Sequence, residues 1–394
     1  MIEWTLCGLM LVWILSLVIL VWAARRGMVD IPLPPSNAPG RRVAVVVPVA
    51  GGGKPIEPSI RSLLSQTHPS IEVVFALRDP SDPASVSVQA AIRGREAAEC
   101  VFAGPAIECG QKNQNMLAGI AAVSEGAEVF VFADAGHGFP AGWLERLVAP
   151  IARGEAEVTS GYHAVRPESG GFVPWVYAVC VEIMHVFQNA PGLRQPWGGA
   201  MAISRAAFER LKVADAWRTS VVDDVSLARV LKVHGVKVRT VPLVRRDTSV
   251  ARLNLRDLFE WMVRQLQYVR FIFPGVWAVV GTWSLVQILA FSSAAVLVLV
   301  GIIGLTPVLC TAASALYLLL LAVVLLQIRL FHPLPCRPGR WLAAGATFLV
   351  LFGVALGTAG VRRQIQWRGI TYHVGRGGRV LAIRRPKLME RAAK

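Results

Sequence analysis

Acidic side chains fall at three places that an alternating strand–helix chain would bring to one end of a sheet. The apolar run Ile71–Leu77 ends in Arg78-Asp79-Pro80-Ser81-Asp82-Pro83, and the run Glu128–Asp134 ends in Asp134-Ala135-Gly136-His137. The pair Asp223-Asp224 opens a stretch of helical spacing. Singly, each has an ordinary structural use: Asp beside Pro or Gly forms turns, and Asp before a helix caps it. Taken in this order around one sheet, they suit sugar transfer from a nucleotide donor. One carboxylate after a strand can hydrogen-bond the base and ribose. Another can hold the hard divalent cation, Mg²⁺ or Mn²⁺, that a diphosphate requires. A third can take the proton of an acceptor hydroxyl as the anomeric carbon is attacked with inversion. In Asp223-Asp224, two adjacent carboxylates raise one another's pKa and burial raises it further, as a base needs.

The elements that must position these residues are legible in the apolar pattern. Val43–Val49 is a short continuous apolar run meeting Ala50-Gly51-Gly52-Gly53, the mark of a buried parallel strand entering a loop. Ile71–Leu77, Glu128–Asp134 and Val236–Val241 read as further strands, and Glu57–Ser65, Lys112–Val123, Trp143–Ile151 and Val225–His234 as helices. The alternation predicts a mostly parallel, Rossmann-like α/β sheet whose ligands sit beyond the C-terminal strand ends.

Around this domain the chain is strongly apolar. Its 394 residues are 54% hydrophobic and only 17% charged, yet carry a formal net charge of +16; mean hydropathy is +0.50. A basic excess fits nucleic acid or the anionic inner face of a membrane; the apolar runs select the membrane and exclude nucleic acid as partner. Thr5–Ala24 is long enough to cross the hydrocarbon core and is followed by Arg25 and Arg26, so residues 1–29 read as a retained anchor with its C-terminal side in the cytoplasm. Residues 30–250 form the soluble domain. Residues 251–275 mix Leu255, Leu258, Phe259, Trp261, Met262 and Leu266 with Arg252, Arg256, Arg264 and Arg270, which suits an amphipathic helix at the membrane interface; a helix packed on the sheet is the alternative. Apolar runs Val276–Leu305, Val308–Gln327 and Trp341–Val361 fill 276–361, and a basic cytosolic tail occupies 362–394. The loop Arg329–Arg340 and the tail are both basic, so both should be cytoplasmic, although one crossing lies between them. Either Trp341–Val361 is re-entrant, bent at Gly345, Gly353, Gly357 and Gly360, or it crosses fully and the charge rule fails at one end. Six scattered cysteines without ligand spacing predict reduced thiols.

The motifs VVVPVAGG, VVFALRDPSDPAS, GQKNQNMLAG, VFVFADAG, VVDDVSLA, RQLQY and QWRGITY, in this order, resemble those of membrane-bound inverting GT-A glycosyltransferases of the large family two type. The resemblance is to the ceramide glucosyltransferase branch in particular, and it runs from about Val43 to Tyr372. It implies that Asp79 and Asp82 hold the nucleoside, that Lys112 and Asn115 face the donor pocket, and that Asp134 ligates the metal. His137 is a candidate second ligand, because this chain has Asp134-Ala135-Gly136 where the broad family has two aspartates. Asp224 matches the catalytic base, leaving Asp223 free to cap the helix. His185, Trp197 and Tyr268 are expected at the acceptor or donor pocket. In Arg264-Gln265-Leu266-Gln267-Tyr268 the first arginine of the family's closing motif is kept, to meet the leaving diphosphate, and its last two residues are replaced. The tail around Gln366-Trp367-Arg368-Gly369 and Tyr372 is expected to fold back towards the site, or else to lie as a basic tail on anionic lipid.

The expected reaction is transfer of a hexose, glucose first, from a UDP-sugar to a membrane lipid such as ceramide. A hopanoid, a diacylglycerol or a polysaccharide are alternative acceptors, and a noncatalytic lipid-binding protein on the same fold is the alternative of another class. The protein is expected in the inner membrane, if bacterial, as a multi-pass protein with its catalytic domain in the cytoplasm.

Overall fold

The computed structural model describes residues 2–27, 40–51, 56–168, 170–190 and 192–386. Gly52 and Gly53, the linker 28–39 and the end of the tail, 387–394, lie outside the described residues. The chain opens with α1 (Ile2–Gly27) and then alternates through β1 (Val43–Pro48), α2 (Glu57–Leu64), β2 (Ile71–Leu77), α3 (Ser85–Ile92), β3 (Ala98–Phe102), α4 (Gln111–Ala122), β4 (Val129–Phe132) and α5 (Trp143–Ala152). There follow β5 (Val158–Pro167), α6 (Val173–Asn189), β6 (Met201–Ser204), α7 (Arg205–Arg210), α8 (Val213–Trp217), α9 (Asp224–Val233) and β7 (Val238–Val250). The C-terminal third is α10 (Leu255–Ile272), α11 (Pro274–Ile302), α12 (Val308–Arg329), α13 (Pro338–Val361), β8 (Gln364–Trp367), β9 (Ile370–Val374) and β10 (Val380–Arg384).

β-Branched runs build the centre of the main sheet. Val43–Val47 of β1 is buried throughout, as a parallel strand with helices on both faces must be. The strand order is β3-β2-β1-β4-β6-β5-β7. The first four are parallel, β6 runs antiparallel to β4 and to β5, and β7 returns parallel to β5. This is the expected α/β class, with a mixed second half. One core lies under α5 and the other under α4, α7 and α8. The second contains Trp217, edge-on to Phe132 at a centroid distance of 5.0 Å.

The elements missing from the sequence reading are those with weak local signals. β3 is a half-exposed edge strand, β6 has four residues, and β5 is interrupted by Gly161. The strand expected at Val236–Val241 runs on to Val250 as β7, because its pairing with β5 absorbs Arg245, Arg246 and Asp247. The basic tail is also more than a tail: β8, β9 and β10 form an antiparallel sheet.

Three helices, α11, α12 and α13, are long and apolar enough to cross a membrane. Their outward residues, among them Leu289, Leu299, Leu319 and Val354, are more than half exposed, which water does not favour and lipid does. The break expected near Thr306-Pro307 separates α11 from α12. The bend expected within 341–361 is absent, since α13 is one unbroken helix. Its glycines serve close packing instead: a Cβ on Gly345 would lie 2.8 Å from Leu325 and one on Gly353 2.8 Å from Ile288. α1, α6, α10, α12 and α13 share a single apolar core, so the membrane helices and the soluble domain are one packed unit.

α4, which carries the site lysine, is pressed against β1. A Cβ on Gly119 would lie 2.5 Å from Val46 Cγ1. Gly119→Ala should therefore cost about 1–3 kcal/mol of stability through overpacking. Denaturant unfolding of the detergent-solubilised protein would measure it; an unchanged midpoint would mean that α4 can back away from the sheet.

Candidate functional site

The C-terminal ends of the parallel strands meet the N-termini of α4 and α9, and a single ammonium group joins them. Lys112, in the first turn of α4, places Nζ 2.8 Å from Asp134 Oδ1 and 3.0 Å from Asp223 Oδ2. Burial alone would lower the Lys112 pKa, but the carboxylates of Asp134, Asp223 and Asp224 hold it well above its ordinary value. Asp223 is 1% exposed and makes no side-chain cap. The capping role left open for it is replaced by the ion pair, while its carbonyl accepts from Trp217 Nε1 at 3.0 Å.

Asp224 starts α9. Its Oδ2 accepts from the Gly198 N–H at 3.0 Å and its Oδ1 from the Val225 N–H at 2.7 Å. Burial, then the neighbouring Asp223 carboxylate, raises its pKa to about 6; Lys112 and the two N–H groups pull the other way. The loop that orients Asp224 is tight: a Cβ on Gly198 would lie 2.3 Å from Asp223 Oδ2 and 2.8 Å from Lys112 Nζ, which only glycine avoids. Next to it, Trp197 stacks on His163 at 4.6 Å and stands edge-on to His137 at 5.4 Å.

The remaining expected residues are distributed as follows. Asp82 Oδ1 accepts from the N–H groups of Gly51 at 2.7 Å and Ala84 at 2.9 Å, fixing the loop after β1. Asp79 binds Arg78 and Ser81 within its own turn. Asn115 does not face the pocket: it is buried, its amide donates to Val49 O at 3.2 Å and Ala76 O at 3.1 Å, and it ties the ends of β1 and β2. One helical turn from Lys112, it points at the sheet because the carbonyls there need a donor. His137 Nδ1 is 2.7 Å from Thr248 Oγ1, so that nitrogen is engaged within the protein. His185 is fully buried on α6, stacked at 5.4 Å on Tyr162, with Nδ1 3.7 Å from Glu182 Oε2. Burial, the largest effect, lowers its pKa.

α10 and the tail close the site from the side of the apolar helices. Tyr268 lines a cavity of about 40 Å³ with Lys112, Asp223, Trp367 and Tyr372, and burial pushes its hydroxyl up to about 12. Arg264, one turn earlier, has its charge facing Tyr177, Tyr268 and Arg368. The tail does fold back. Tyr372 Oη accepts from Gln111 N at 3.1 Å, and Arg368 Nη1 donates to Ala50 O and Gly51 O, each at 2.8 Å. The Arg368 guanidinium faces both Asp82 and Asp134.

Residues 8–380, most of the chain, match the family described as "Glycosyl transferase family 21". The chain belongs to glycosyl transferase family 21. No curated protein matches it. Among solved structures, this family 21 glycosyltransferase is similar to the mannosyltransferase PcManGT from Pyrobaculum calidifontis in complex with GDP-Man and Mn²⁺. The identity is 18%, with 92% of this chain and 98% of that one covered and a TM-score of 0.49. It is also similar to glucosyl-3-phosphoglycerate synthase from Mycobacterium tuberculosis in complex with Mn²⁺ and UDP-glucose, at 18% identity, 59% of this chain, 78% of that one and a TM-score of 0.37.

Sequence reasoning missed two contributors to this family 21 site. Gly198 gave no signal beyond a Gly-Gly pair. Arg246 lay inside a charged stretch of β7, yet it is fully buried over the Phe139 ring at 3.6 Å. Its guanidinium donates to Gly199 O at 2.6 Å and His137 O at 2.5 Å, joining the loop after Asp134 to the loop that orients Asp224.

Because Lys112 holds the Asp224 pKa down, Lys112→Met should raise it further. The acid limb of the pH–rate profile of sugar transfer is then expected to move to higher pH than in the parent. An unmoved limb would show that the two groups are not coupled in solution.

Proposed function

We propose that this chain transfers a hexose, glucose in the first place, from a UDP-sugar to the hydroxyl of a membrane lipid such as ceramide, with inversion. One observation carries the reading. Asp224 is a buried carboxylate raised to about 6, aimed by the Gly198 N–H and set beside the Lys112–Asp134 pair. In that place it takes the proton of the acceptor hydroxyl as the acceptor oxygen bonds to the anomeric carbon. The bond from that carbon to the diphosphate breaks in the same displacement, and the nucleoside diphosphate leaves with the electron pair. Lys112 and Arg264 meet the negative charge that develops on the leaving oxygens. Asp82 fixes the loop expected to hold the nucleoside.

Among the described residues no group of three metal-binding side chains converges. One carboxylate, Asp134, a third exposed at a strand end, nonetheless fits Mg²⁺ or Mn²⁺, which take one or two carboxylates and complete their shell with substrate phosphate and water. Both neighbours named above are complexes with Mn²⁺ and a nucleotide sugar, which agrees with this choice. When bound, the ion neutralises the diphosphate. Lys112, paired with Asp134, would balance the site's negative charge beside such an ion.

The acceptor side is supported by the surroundings of Trp197. Tyr162, His163 and Tyr177 cluster there, and Tyr177 packs edge-on against Trp261 of α10 at 4.9 Å. That path runs from the base to a helix packed on the apolar bundle, where a lipid hydroxyl can arrive from the cytoplasmic leaflet. Arg256 of α10 and Arg337, Arg340 and Arg363 at the two ends of α13 suit an anionic membrane surface.

Purified protein incubated with UDP-sugars and lipid extract should yield a glycosylated lipid by mass spectrometry; no product with any donor would favour a noncatalytic lipid-binding role. Asp224→Asn should lower turnover by about 10²–10⁴-fold while UDP-sugar affinity is retained. Turnover in the parent should also fall as pH drops through about 6, because a raised pKa leaves the base ionised only above it. Asp134→Ala should weaken donor binding and abolish its dependence on divalent cation, measured by titration calorimetry with and without Mn²⁺; a parent that binds donor equally well in chelator would remove the ion from this site.

A further inference from the structure

α13 is apolar enough to be taken for a membrane-crossing helix, but its two ends are fastened to the same folded unit. At its start, Trp341 Nε1 donates to Leu325 O at 2.9 Å, where α12 ends. The loop joining α12 to α13 is then pinned to the soluble domain: His332 Nε2 lies 2.9 Å from Val165 O of β5, and Arg245 of β7 donates to Phe331 O. At its other end, Arg270 of α10 donates to Ala359 O at 2.8 Å and to Arg362 O at 2.9 Å. Beyond it the tail sheet is bonded to the domain through Tyr372 and through Val380 N–Thr219 O at 2.9 Å.

Between these anchors the helix lies on α6 and α10. Its buried residues, among them Trp341, Ala344, Phe348, Ala355 and Ala359, share one face; Val350, Val354 and Val361, between 52% and 77% exposed, share the opposite one. A helix of 24 residues is about 36 Å long. If it crossed, its ends would be separated by the whole hydrocarbon thickness of about 30 Å, and one could not touch a domain on the other side.

We propose that α13 lies in the plane of the membrane, embedded in the leaflet next to the catalytic domain, and that in the C-terminal third only α11 and α12 cross. Its valine face meets acyl chains, and Arg337, Arg340 and Arg363 at its two ends meet headgroup phosphates, while Arg362 is held by Glu260 of α10. The basic loop and the basic tail then lie on one side without any bend in the helix. The inference does not depend on the reaction, since sidedness is judged against the domain itself.

The test uses the full chain with its native cysteines replaced by serine and one cysteine returned at a time: Gly339→Cys and Arg363→Cys at the two ends of α13, and Glu96→Cys on the domain surface. A membrane-impermeant maleimide is applied to sealed vesicles of both orientations. All three sites should label in the same orientation and lose labelling in the other. Labelling of Gly339→Cys from the side opposite Glu96→Cys would overturn the proposal. If the serine-replaced chain does not fold, trypsin applied to vesicles of the unaltered protein reads the same point. Cleavage at Arg340 from the domain side supports the in-plane helix, and cleavage there from the far side overturns it.

Discussion

The ammonium of Lys112 is the contact on which the site depends. Asp134, Asp223 and Asp224 come from the end of β4 and the start of α9, and gathering three carboxylates where little water reaches would be strongly unfavourable without a cation. Lys112 answers two of them directly and lowers the cost of the third. It also fixes how α4 sits against the sheet, with Gly119 allowing the approach and Asn115 tying the same helix to β1 and β2. The balance is incomplete: one cation faces three carboxylates, and burial with the neighbouring Asp223 leaves Asp224 with a raised pKa.

A second constraint joins this site to the membrane elements. β7 presents two adjacent arginines to opposite sides, as successive strand residues must. Arg246 turns inwards and holds the carbonyls of His137 and Gly199, so it spaces the loops of Asp134 and Asp224. Arg245 turns outwards to Glu182 of α6 and to Phe331 at the end of α12. One strand thereby touches both the apolar helices and the two loops that carry Asp134 and Asp224. α1, α6, α10, α12 and α13 share one apolar core on that side.

The tail is placed by the same logic of unmet polar groups. The N–H of Gln111 at the start of α4 and the carbonyls of Ala50 and Gly51 lie at a rim that the main sheet does not cover. Tyr372 and Arg368 of the tail sheet satisfy them, and in doing so Trp367 and Tyr372 enclose the cavity beside Lys112.

Much of this was written locally. Continuous apolar runs of strand length, ending in Asp79, Asp82 and Asp134, announced parallel strands with acidic ends, and helical spacing after Asp223-Asp224 announced α9. The long apolar runs announced the helices α1, α11, α12 and α13. What the sequence could not contain is direction at long range. That Asn115 turns to the sheet, that Asp223 pairs with Lys112 instead of capping, and that Gly198 must be glycine each depend on atoms brought from distant parts of the chain. The same holds for α13: composition determined that it is apolar, but only its two anchored ends, set by contacts with β5, β7 and α10, decide which side of the membrane it returns to.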